Sequence, residues 1–150
     1  MLNRRRERLL RGLDAWQNPP AAQDETQDDP VLARLLEASP IAALMASALV
    51  RANTKTVWRD RPFVDLGGET PLRGRFERLW LQRDAEGPQR ALVVGTVNGV
   101  GQGLSPGVRG ETTANLLRAA AARVLEIPEC RVQVMVALLD TGEWAGGSAA

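Results

Sequence analysis

The sequence predicts an α+β fold, a mixed β-sheet of three to four strands flanked by helices. Three observations predict it. Residues 90–97 (RALVVGTV) form a nearly all-apolar run, the pattern of a central strand covered on both faces. Residues 111–126 (ETTANLLRAAAARVLE) place Leu116, Leu117, Ala120 and Val124 at helical spacing. Residues 131–139 (RVQVMVALL) alternate Val132, Val134, Val136 and Leu138 onto one face, as a strand does. Helices and strands alternate along the chain as an α+β or α/β sandwich with such a sheet requires.

The remaining elements follow from the same rules. Residues 3–17 predict a short helix, Arg-rich on one side, with Leu9, Leu10, Leu13 and Trp16 as its apolar stripe. Residues 18–30 (NPPAAQDETQDDP) are acidic and bracketed by Pro, which predicts a flexible linker. Asp29 followed by Pro30 is a helix-start signature for a helix over 31–38 that Ser39-Pro40 ends. A further helix is expected over 41–52, with Ile41, Leu44, Met45, Ala48 and Leu49 on one face. Residues 55–65 predict a strand broken by Pro62, and residues 71–83 a second strand. The turn Asp84-Ala85-Glu86-Gly87-Pro88 makes the second and third strands a hairpin. Five Gly among residues 98–110 predict a long loop before the 111–126 helix, which Thr112 or Thr113 caps and Pro128 stops. Asp140-Thr141-Gly142 ends the last strand. The chain thus divides into a basic helix with linker (1–30), one α/β domain (31–144) and a frayed tail (145–150).

Composition narrows the chemistry. The chain has 150 residues, 44% apolar and 25% charged, with no His, no Tyr and one Cys. It has a single Lys, Lys55, beside 18 Arg. Without His there is no Ser-His-Asp triad, no His general base and no His-ligated zinc. With Cys130 alone there is no internal disulfide and no all-Cys metal site. Cys130, after Pro128 and before an apolar strand, reads as an inert small residue. The glycine-rich segment between strand and helix contains neither G-x-G-x-x-G nor G-x-x-x-x-G-K-[ST], so it reads as a connector and not as a nucleotide cradle. Nothing approaches the roughly 20 apolar residues of a membrane span, and the Arg-rich start has no secretory apolar core, so a cytoplasmic location is the expectation. A net charge of +1 argues against a strong overall field for nucleic acid. Locally, residues 73–90 carry five Arg against three acids. Trp58 and Trp80 read as core or cross-strand packing.

Several strings then occur in a telling order. Asp60-Arg61-Pro62-Phe63 is followed by Gly74-Arg75-Phe76-Glu77-Arg78. Leu92-Val93-Val94-Gly95-Thr96-Val97-Asn98-Gly99 comes next, then Asn115-Leu116, and Thr141-Gly142 closes the last strand. Over about residues 41–144 this order resembles the RecB-type nuclease domain of the PD-(D/E)XK superfamily. There the strings read roughly E-x-P-F, G-R-I-D-R, D-Y-K-T-G, Q-L and T-G. The resemblance implies a restriction-endonuclease-like mixed sheet and a role in DNA processing such as repair. It places Glu77 at a metal-binding acid and Asn115 at the family's Gln. It also implies that the site is degenerate. Gly95 stands where the family has its second metal-binding Asp, Thr96 where it has Tyr, and Val97 where it has the catalytic Lys. One carboxylate holds Mg²⁺ weakly, and Lys55 lies about 40 residues upstream.

The first reading is therefore a catalytically inactive nuclease-like domain with no cofactor. It binds DNA, with Arg73, Arg75, Arg78 and Arg90 as contact candidates, or a helicase/nuclease partner through the N-terminal helix, for which docking on its own domain and a frayed arm are the alternatives. A second is a small α+β interaction or assembly module with no nucleic-acid role. A third is a Mg²⁺-dependent nuclease in which Asp65 or Glu111 joins Glu77 as a relocated ligand.

Overall fold

The computed structural model describes residues 2–14, 29–37, 43, 57–66, 71–97 and 106–147. The elements in chain order are α1 (Leu2–Asp14), α2 (Pro30–Glu37), β1 (Val57–Asp65), β2 (Leu72–Asp84), β3 (Gly87–Val97), α3 (Pro106–Leu125), a 3-10 turn at Glu129–Arg131, β4 (Val132–Leu138) and β5 (Glu143–Gly147). Residues 18–28 of the expected linker, the helix expected over 41–52 apart from residue 43, and the glycines at 99, 101 and 103 lie outside the described residues.

The class is α+β, with an open mixed sheet of five strands in the order β1-β2-β3-β4-β5. The β1–β2 and β2–β3 pairs are antiparallel, β3 and β4 are parallel, and β5 returns antiparallel to β4. Only the β3–β4 step needs a crossover, and α3 supplies it.

α3 packs on one face of the sheet, over Phe63, Phe76, Leu79, Leu81, Val93, Val132, Val134 and Val136. α1 and α2 cover the other face. Leu9, Leu10 and Leu13 meet Leu32, Leu35 and Leu36 above Trp80, Leu92, Val94 and Ala137. Leu9, Leu32 and Leu35 are fully buried, and each such side chain contributes about 1.5–3 kcal/mol. The first helix, which the sequence sets apart from the 31–144 domain, is thus built into the second core. Trp58 and Trp80 lie on opposite faces, Trp58 beside Phe76 in the first core and Trp80 in the second. They are core residues but do not pack on each other.

Several features differ from the sequence expectation: the sheet has five strands where three to four are expected, and β1 runs unbroken through Pro62, which pairs in register with Arg75. α3 begins at Pro106, five residues before the expected start at 111. Gly110 lies inside this helix, and only Gly fits there: a β-carbon on it would lie 2.5 Å from the Ala145 β-carbon. The fifth strand takes in residues 145–147 of the tail expected to fray, because β4 continues through a tight turn, with Gly142 N–H donating to the Leu138 carbonyl at 2.9 Å, into a paired return strand. Cys130 is exposed on the 3-10 turn. No helix of the described residues is long and apolar enough to cross a membrane.

Candidate functional site

β1 and β2 change face together at Asp60 and Glu77. On one side of that point Trp58 and Leu79, which are partners in register, belong to the first core, and Val57 and Trp80 to the second. On the other side Phe76 and Phe63 belong to the first core, their rings stacked at 4.5 Å. Strict alternation would put Phe76 opposite Leu79. The register of the pair is the same before and after, Arg59 with Arg78 and Arg61 with Phe76, so both strands slip by one residue at once. Asp60 takes a left-handed conformation there, φ 48°, which Asp tolerates better than most residues.

The slip coincides with a split in the sheet. β2 pairs with β3 from Asp84 back to Arg78, opposite Val94. Beyond it the Glu77 carboxylate takes over as acceptor. Thr96 N–H donates to Glu77 Oε1 at 3.0 Å, and the Thr96 hydroxyl lies 3.0 and 2.9 Å from the two carboxylate oxygens. Arg6 of α1 donates its Nε–H to Glu77 Oε2 at 2.5 Å and an Nη2–H to Asp60 Oδ1 at 2.9 Å. One guanidinium therefore bridges two carboxylates brought together from β1 and β2. Burial disfavours the charge on Arg6, and the pairing with Glu77 and Asp60 outweighs it, so the guanidinium is held above its ordinary pKa.

Other charges tie α1 down at both ends. Arg78 is buried, 7% exposed, and forms a two-point pair with Asp14, Nε to Oδ1 at 3.0 Å and Nη2 to Oδ2 at 2.8 Å. Its third donor reaches the Glu77 carbonyl at 2.7 Å. Arg5 donates to Asp29 Oδ2 at 2.7 Å and to the Leu139 carbonyl. Asp29 also caps α2 by accepting from Val31 and Leu32 N–H at 3.1 and 3.2 Å. Burial alone would raise the Asp29 pKa; the bonds from Arg5, Leu32 and Val31 outweigh that and hold it below the ordinary carboxylate value.

The sequence-predicted site residues separate into groups. Glu77 and Gly95 are neighbours: a β-carbon at Gly95 would lie 4.0 Å from Glu77 Oε1 and 2.8 Å from a Leu117 methyl. Val97 packs at the margin of the first core. Asn115 is exposed on α3 and accepts from Arg118 at 3.1 Å. Asp65 faces Arg123 at 3.5 Å, and Glu111 is exposed on α3. Among the described residues, no group of three or more His, Cys, Asp and Glu is placed to hold a metal ion.

The four arginine candidates do not make one patch. Arg78 is enclosed under α1, so it has no surface to offer. Arg73 and Arg75 are exposed near the start of β2, Arg75 donating to the Asp60 carbonyl at 2.9 Å. Arg90 pairs in register with Gln82, toward the far end of the same strand. Seven residues of strand separate that end from Arg75, roughly 23 Å at 3.3 Å per residue. Asp60 and Arg6 were missed as partners of Glu77. Asp60 opens the Asp60-Arg61-Pro62-Phe63 string, whereas Arg6 is 71 positions away from Glu77 and has no local signature.

The chain matches no protein-family model, and no curated protein or solved structure matches it.

Proposed function

We propose that this chain is a catalytically inactive RecB-type nuclease-like domain that serves DNA processing by binding, either to nucleic acid or to a helicase/nuclease partner. The observation that carries the reading is the state of Glu77. It sits where the resemblance expects a metal-binding acid, next to Gly95, but its carboxylate is occupied by Arg6 and Thr96. A guanidinium already bridges the two nearby acids, and a divalent cation at the same oxygens would be repelled by it. The strand-strand-strand-helix-strand order with a mixed sheet supports the nuclease-like fold.

Affinity for single-stranded DNA measured against salt concentration tests the binding part. Phosphate contacts make log affinity fall linearly with log salt, by about 0.7 per contact on single strands. Arg73→Ala and Arg75→Ala each flatten that slope by about 1 or less if those exposed side chains touch phosphates. Salt-independent or absent binding, together with a stable pull-down complex whose partner is neither a helicase nor a nuclease, would favour the interaction-module reading instead.

A further inference from the structure

A second polar site lies at the other end of the sheet. Gln82 at the end of β2, Gln89 and Arg90 at the start of β3, and Arg131 just before β4 line a cleft of about 360 Å³. Arg90 on β3 and Arg131, the last residue of the 3-10 turn, precede the register partners Ala91 and Val132, and both side chains line the cleft. Like charges so placed repel each other. Among the described residues no carboxylate forms an ion pair with either. Arg131 is nevertheless oriented. Asp84 Oδ1 accepts from Gln89 Nε2 at 3.1 Å, which turns the Gln89 carbonyl oxygen toward Arg131 Nη1 at 2.9 Å. Asp84 itself is held by Glu86 N–H at 2.8 Å. Among the described residues, no hydrogen bond or ion pair takes the Arg90 guanidinium, the remaining Arg131 donors or the Gln82 amide.

We propose that this cleft is a phosphate site, and that it takes a terminal phosphate monoester in preference to a backbone diester. A monoester carries close to two negative charges at neutral pH, which matches the two guanidiniums, whereas a diester or a carboxylate carries one. Arginine forks bind phosphate oxygens two at a time, so a tetrahedral group with several free oxygens uses both side chains. The volume holds such a group with some of its water. The preference for a strand end rests on the DNA-binding reading above; the phosphate site itself does not.

The test uses the full chain and two probes. The first is one single-stranded oligonucleotide with either a terminal phosphate or a terminal hydroxyl. The second is inorganic phosphate, followed through backbone amide resonances of residues 89–91 and 131–132. The wild type should bind the phosphorylated strand about tenfold more tightly, the size of one charge-assisted contact, and Arg90→Ala/Arg131→Ala should abolish the preference. Inorganic phosphate should shift those amides in the wild type and not in the double variant. The substituted side chains are exposed, so an unchanged circular dichroism spectrum is expected. Gln89→Ala, which keeps both cations and loses the orientation of Arg131, should reduce the preference without removing it. Shifts with inorganic phosphate but no preference between strands would support a site for free phosphate and overturn the strand-end assignment. DNA binding with neither preference nor shifts would overturn the site while leaving the DNA-binding reading standing. Shifts without any DNA binding would do the reverse.

Discussion

Glu77 accepts from Arg6 and from the Thr96 N–H at a point where the ladder between β2 and β3 has ended. Truncating it to Ala removes the acceptor from a half-buried guanidinium and a backbone donor at once. That should cost about 1–3 kcal/mol, toward the lower figure because Arg6 is partly solvated. Urea unfolding of Glu77→Ala measures it. A change near zero would mean that water replaces the carboxylate and that Glu77 anchors nothing. Gly95 is constrained from the other side, since Leu117 fills the space where its side chain would begin. The same packing explains why small and apolar residues stand at positions 95 and 97: Gly95 lies under α3, and Val97 packs against the first core.

The two helices on the second core are coupled through Asp29, which caps α2 and pairs with Arg5 of α1. Its folded pKa is depressed, so its contribution to stability is present above the unfolded value and is lost as pH falls through the folded one. Asp29→Ala should cost about 1–2 kcal/mol near neutral pH, and the difference from wild type should shrink in acid. Unfolding by urea at a series of pH values checks both; a difference independent of pH would contradict the linkage. The Asp29-Pro30 start was legible because capping is local chemistry. α3, β3 and β4 were legible because a period or an unbroken apolar run marks them. β5 was not, since Glu143–Gly147 holds two Gly and no β-branched residue and becomes a strand only by pairing with β4. The early start of α3 was hidden for a related reason: Gly110 reads as loop, whereas it is small to let α3 approach β5.

Across the sheet, α1 is a structural layer. Its Leu9, Leu10 and Leu13 close the core over Trp80, Leu92 and Val94, and its charges meet β1, β2 and the start of α2. Removing residues 2–14 should therefore expose apolar surface and broaden the unfolding transition, visible as dye binding and loss of cooperativity. Sharp two-state unfolding of the shortened chain would contradict this. In sequence, the basic helix before an acidic segment is open to docking on a partner, docking on its own domain or fraying, because composition shows charge but not which distant carboxylates receive it. The pairing of Arg6 with Glu77 and Asp60 is the long-range fact that changes the reading of the site. In sequence, Glu77 is a lone acid beside Gly95 and Val97. In the fold it is an acid whose cation is part of the chain.

The most direct test is incubation of the purified full chain with single-stranded and double-stranded DNA at ample Mg²⁺ or Mn²⁺. An inactive domain with Glu77 held by Arg6 leaves the DNA intact. Metal-dependent cleavage that Glu77→Ala abolishes, in a variant that remains folded, would contradict it.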